Sequence, residues 1–147
     1  MSSTFERFRP ISSRRNPTVT GSYSDPIRNI VVVRQDRAEA LAAGQIFNPD
    51  WLARIRGVKA IRFMDWMATN DSLLAKASDR PKPADYTWAR QGVPMEIMIS
   101  LANALNADPW FTLPHLSEDG LVRDFAMLAH ADLNAGLVAH VEFSNEV

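Results

Sequence analysis

Strand-like and helix-like segments alternate along this chain, and the alternation restricts the fold more than any other feature. Asn29-Ile30-Val31-Val32-Val33 is a short, β-branched, continuously apolar run. That is the pattern of a strand covered on both faces in a parallel sheet. Lys59 to Met67 reads as a second strand, in which Ile61, Phe63 and Met67 alternate with Arg62, Met64 and Trp66. Trp110-Phe111-Thr112-Leu113 reads as a third, closed by Pro114-His115, and Leu137 to Ser144 as a fourth.

Helix signals fill the gaps. Asp36 to Ala43 is Ala-rich, with Gly44 as a stop. Asn48-Pro49 supplies a cap and a first-turn proline before Trp51, Leu52 and Ile55, and Gly57 ends that helix. Pro94 opens a helix to about Asn106 that is apolar on most sides. Ser117 is placed to cap another, with Glu118 and Asp119 at the positive end of its dipole and a stripe of Leu121, Phe125 and Leu128. Residues 68–92 form a long connection marked by Asn70-Asp71-Ser72 and Pro81-Lys82-Pro83, and it carries Tyr86 and Trp88.

A repeated strand–helix order calls for a parallel sheet with right-handed crossovers. A small doubly wound sheet and half of an eight-stranded barrel both satisfy it. No Gly-x-Gly-x-x-Gly and no Gly-x-x-x-x-Gly-Lys follows any strand, so a nucleotide has no phosphate cradle.

Composition narrows the function classes. The chain of 147 residues has a net charge of −1 and no cysteine. Disulfides and thiolate metal sites are excluded, and the overall charge makes no case for nucleic acid. No apolar run approaches the roughly 20 residues that span a bilayer. The N-terminal residues lack the apolar core of a secretory signal. Residues 1–37 carry a net +4 and the remaining 110 a net −5. Residues 1–25, rich in Ser, Thr, Arg and Pro, read as a flexible basic arm ahead of a domain over 26–147.

Polar residues in the strands separate the two architectures. In the fourth run Ala139, Val141 and Phe143 share one face, and His140, Glu142, Ser144 and Glu146 the other. Helices on both sides of an open sheet would bury that polar row without partners. A barrel interior accepts it, with Arg62 facing inward to satisfy the carboxylates. The expectation is therefore a partial (β/α)8 barrel of about four units, ending after strand four.

Barrels of this kind place their chemistry at the C-terminal ends of strands. Those ends offer Asp65-Trp66, Pro114-His115 and Asn145-Glu146. Glycosidic bond cleavage needs one carboxyl to protonate the departing oxygen and a second to attack or to activate water. Trp66, Trp88 and Trp110 offer flat faces for sugar rings. The plainer readings are a solvated terminal Glu146, tryptophans packed in the rim and a turn histidine at His115. His140, Glu142, His115 and Glu146 are a conceivable metal set, but no two histidines have metal-helix spacing and Arg62 would oppose a cation.

The run Val141-Glu142-Phe143-Ser144-Asn145-Glu146-Val147 resembles the strand-four motif of retaining (β/α)8 glycoside hydrolases, the clan with many cellulases, mannanases and β-galactosidases. Ile61-Arg62-Phe63-Met64-Asp65-Trp66 resembles its strand-two segment, and Asp108 to His115 a strand-three segment ending in an active-site histidine. Thr69-Asn70-Asp71-Ser72 adds a further block in the expected order. The similarity covers roughly residues 26–147. It implies that Glu146 is the general acid/base, Asn145 the ligand of the sugar 2-hydroxyl, and Arg62 and His115 active-site support. It also implies that Trp66 and Trp110 contact the sugar, with no cofactor and no metal; Trp88 and Asp65 are further candidates to line the substrate.

The clan's nucleophile is a second Glu on strand seven, beyond the strands found here. Glu142 lies about 13 Å below Glu146 along one strand and is no substitute at the roughly 5–5.5 Å that retaining chemistry requires. The expectation is the N-terminal half of a hydrolase acting on β-linked polysaccharide, inactive alone. Its partners would be the carbohydrate and either the missing half or another copy meeting it through exposed strand edges, with no nucleic acid and no membrane. Complete relatives are expected to be secreted. The alternatives are a half-barrel that binds sugar without cleaving it, and an unrelated small α/β domain.

Overall fold

The computed structural model describes residues 31–145. The chain divides into two compact units, one up to Ala43 and one from Gly44 onward.

In the first unit, Gln35–Arg37 forms a 3₁₀ turn that leads into helix α1, Ala38–Ala42. The Arg34 guanidinium grips Asp36 through two bonds of 3.0 and 2.7 Å. The strand expected over Asn29–Val33 is not found. Val31, Val32 and Val33 are irregular and exposed, Val32 at 95%, and Asn29 and Ile30 lie outside the described residues. An apolar run becomes a buried strand only where neighbours pair it and cover its faces, which no described residue does here. The proposed arm over residues 1–25 also lies outside the described residues.

The second unit holds α2 (Pro49–Ile55), β1 (Ala60–Arg62), α3 (Met95–Leu105), β2 (Asp108–Leu113), α4 (Asp119–Asp132) and β3 (His140–Phe143). The three strands form one parallel sheet in the order β1-β2-β3. Ile61 pairs with Pro109, Arg62 with Trp110, Trp110 with His140 and Thr112 with Glu142. The half-barrel expectation is thereby corrected: this is a small α/β domain with three strands in a single sheet, and it does not resemble four barrel units.

Local chemistry explains the boundaries. Asn48 caps α2 by accepting the Asp50 N–H at 2.8 Å, with Pro49 in the first turn. Strand β1 stops at Arg62 because the chain winds into turns, Met67 N–H bonding to Phe63 C=O and Ala68 N–H to Asp65 C=O. Asn106, with φ +52, ends α3 in the left-handed conformation that asparagine tolerates. Helix α4 is capped differently from expectation. Glu118 holds the cap position without a side-chain bond, and the Ser117 hydroxyl is buried with no partner among the described residues.

Each helix of this unit sends apolar side chains into one cluster with the sheet. Met98, Ile99 and Leu101 of α3 and Leu121 and Phe125 of α4 close over Phe63, Phe111 and Leu113, with Leu52 and Ile55 of α2 at the margin. Phe63 stacks on Phe111 at 5.8 Å. The Arg80 guanidinium clasps the two helices together, bonding Glu96 of α3 at 2.8 Å and Asp124 of α4 at 2.5 Å. All the core residues of β2 and the chain beside it point one way, so the opposite face of the sheet carries the polar side chains.

Candidate functional site

Paired residues of neighbouring strands share a face, so the register puts Arg62, Trp110, Thr112, His140 and Glu142 on the side away from the core. Arg62 organises it. Its Nε and Nη2 donate to Glu142 Oε2 at 3.1 and 2.8 Å, and Nη2 also donates to Asn145 Oδ1 at 2.7 Å. The guanidinium carbon lies 5.5 Å from the centre of the Trp110 ring, within cation–π range. His140 stands beside the same indole at 6.3 Å, with Nε2 3.6 Å from Asp108.

Two departures from regular backbone bring in the remaining members. Ser144 has φ +62 and is buried, its N–H bonded to Leu113 C=O at 2.7 Å. That left-handed residue ends β3 and turns Asn145 back toward Arg62, against a cost of about 1 kcal/mol. The segment after β1 contains two more left-handed residues, Ala68 and Asp71. It is fastened to β2 by Thr69, whose hydroxyl lies 3.0 Å from Thr112 C=O, and by Met67 sulfur, which accepts the Thr112 N–H at 3.2 Å. Asn70 is thereby held where its Oδ1 accepts from Asn145 Nδ2 at 3.1 Å.

The pair Arg62–Glu142 is about one-third exposed on each side chain. At that exposure solvent screening leaves it worth at most about 1 kcal/mol. Its effect is on geometry: it holds a planar five-donor group over an indole and presents an amide beside it. Thr112 contributes a fully buried hydroxyl on the same face with no hydrogen-bond partner among the described residues.

Of the residues that the sequence nominates, the structure gathers Arg62, Asn145 and Trp110. It leaves the others elsewhere. Trp66 stacks on Trp51 at 6.3 Å and leans on Phe63 at 5.6 Å, so it packs at the core side of the sheet. Trp88 donates its indole N–H to Lys82 C=O at 3.2 Å within the long connection. His115 is exposed in the turn after β2, and Asp65 is exposed in the turn after β1. Glu146 lies outside the described residues. No group of three potential ligands that could hold a metal occurs among the described residues. A groove of about 310 Å³ beside Phe47, Pro49, Leu52 and Ala104 involves none of the network.

In the sequence Asn70 reads as a turn residue and as part of the Thr69-Asn70-Asp71-Ser72 block, with no role at the site assigned to it. Glu142 was legible as a partner for Arg62 from strand phase alone. Comparisons with protein-family models, with curated proteins and with solved structures return no match.

Proposed function

We propose that the polar face around Arg62 binds carbohydrate, as the sugar-holding and acid/base part of retaining glycoside hydrolysis on β-linked polysaccharide. The observation that carries the reading is the Arg62 fork shared by Glu142 and Asn145 above Trp110. Sugars are recognised by planar arrays of donors and acceptors beside an aromatic face, and this face supplies a guanidinium, two amides, a carboxylate and an indole. The likeness of Arg62, Asn145 and Glu146 to the hydrolase motif points the same way. In this reading Glu146 protonates the departing oxygen and Asn145 bonds the neighbouring hydroxyl.

The network favours holding over cleaving in the chain by itself. Of the described carboxylates on this face, Glu142 has its Oε2 occupied twice by Arg62, and Asp108 lies beside His140. A carboxylate so engaged is a poor nucleophile, and hydrolysis with retention needs two free carboxyls about 5–5.5 Å apart. Calorimetric titration with a panel of β-linked oligosaccharides tests the reading. Binding is expected, and Trp110→Ala or Arg62→Ala is expected to remove it, while aryl β-glycosides stay intact. Unchanged binding in both variants would refute the assignment.

A further inference from the structure

Strand β3 is the edge of the sheet, with β2 on one side and no described strand on the other. Val141 and Phe143, on the core side of the sheet, are both 64% exposed. The orientation of the open edge follows from one bond. Ser144 N–H points to Leu113 C=O, hence toward β2. The C=O of Phe143 belongs to the same peptide and points the opposite way. Backbone groups alternate along a strand, so the N–H and C=O of Val141 and of Phe143 face outward, and those of His140 and Glu142 face β2.

We propose that β3 pairs antiparallel with β3 of a second copy about a two-fold axis through Val141, joining two three-stranded sheets into one of six. A symmetric ladder needs outward residues opposite outward residues, which leaves few registers. An axis through Glu142 sets the two Glu142 side chains against each other, and an axis through His140 does the same for the histidines. An axis through Phe143 runs the ladder into Ser144, whose φ of +62 is not that of a strand.

The axis through Val141 avoids all three. The two Val141 residues exchange both backbone hydrogen bonds, and each Phe143 covers the other copy's Ala139. On the polar face each His140 meets the other copy's Glu142, opposite in charge when the imidazole is protonated. Glu142 has the capacity for this contact: Arg62 engages only Oε2, and Oε1 makes no hydrogen bond among the described residues. The charged groups around His140 within one copy are Asp108 on β2, Glu142 on its own strand and Arg62 across Trp110. Exposed sheet edges recruit strands in this way unless charge or proline blocks them, and neither lies at Val141 or Phe143. The inference stands apart from the sugar reading.

Cross-linking of the full chain tests it, since the sequence has no cysteine of its own. A short bifunctional thiol reagent is expected to join Val141→Cys into a covalent dimer. Phe143→Cys is expected to stay uncoupled, because its counterpart lies four residues, roughly 13 Å, along the ladder. Sedimentation should show a wild-type dimer at concentrations on the order of 100 µM and at least about tenfold weaker association for Val141→Lys. A monomeric wild type, an open polymer, or equal cross-linking of the two cysteine variants would overturn the proposal.

Discussion

Arg62 and Glu142 lie eighty positions apart in the chain and meet at 2.8 Å across the width of β2. The meeting depends on three parallel strands in register and on both residues taking the same phase of the pleat. Trp110, the strand β2 residue between them, fills the space under the guanidinium. The polar face is thus a product of sheet topology, and changes at Arg62 should be felt as lost organisation more than lost stability.

Arg62→Lys is the first test. An ammonium is a point charge and cannot hold Glu142 and Asn145 together in one plane. Stability should change by less than about 1 kcal/mol, given the exposure of the pair. The Asn145 side-chain amide resonances should move toward solvent values, and sugar binding should be lost. Preserved amide shifts in the variant would show that the fork does not organise the site.

Phe111 and Phe143 share the core side of the sheet but differ in burial, and their energetics should differ with it. Phe111 is 1% exposed and stacks on Phe63, so Phe111→Ala should cost about 3–5 kcal/mol in urea unfolding. Phe143, at 64% exposed, should cost less than about 1 kcal/mol when measured in the monomer.

Gly92 joins the long connection to the start of α3. It has φ +89, and a Cβ there would fall 2.4 Å from the carbonyl oxygen of Trp66, which also accepts the Val93 N–H. Gly92→Ala must move backbone, so a loss of about 2–4 kcal/mol is expected in thermal or urea unfolding. A neutral effect would mean that this segment packs otherwise.

How much of this was legible beforehand differs by residue. Helix α3, strand β2 and strand β3 stand out because period and length agree there, and the inward phase of Arg62 follows from alternation alone. The barrel does not follow. A polar row in a sheet does not need an enclosed interior: on this open face Arg62 bonds Glu142 and Asn145, and Asn145 bonds Asn70. The valines at 31–33 mislead because an apolar run does not carry its pairing partner with it. Asn70 is illegible because left-handed turns at Ala68 and Asp71, which no period encodes, deliver it to the site.

Two charged clusters give opposite behaviour with pH. Burial lowers the Arg80 guanidinium pKa, but the hydrogen bonds it donates to Glu96 and Asp124, with the attraction of their charges, outweigh it and leave it above its ordinary value. A raised cationic pKa gives stability that is complete below the ordinary guanidinium value and fades only as pH climbs through the folded one. Arg80 itself should therefore add no pH dependence between roughly pH 5 and 10, while Arg80→Met should cost about 1–3 kcal/mol by leaving Glu96 and Asp124 unpaired. Asp36 runs the other way. The Arg34 hydrogen bonds hold its carboxyl below the ordinary 3.8, so their contribution is present above that value and is lost as pH falls through the folded one. Carboxyl NMR should show Asp36 titrating below the ordinary aspartate value and returning toward it in Arg34→Ala.

That the Arg62 face takes sugar is tested most directly by a nitrogen–proton NMR titration with β-linked oligosaccharides. Saturable shifts of the Trp110 indole, the Arg62 guanidinium and the Asn145 and Asn70 side-chain amides are expected, with the Trp88 indole still. No shifts, or shifts confined to the groove beside Phe47 and Leu52, would contradict it.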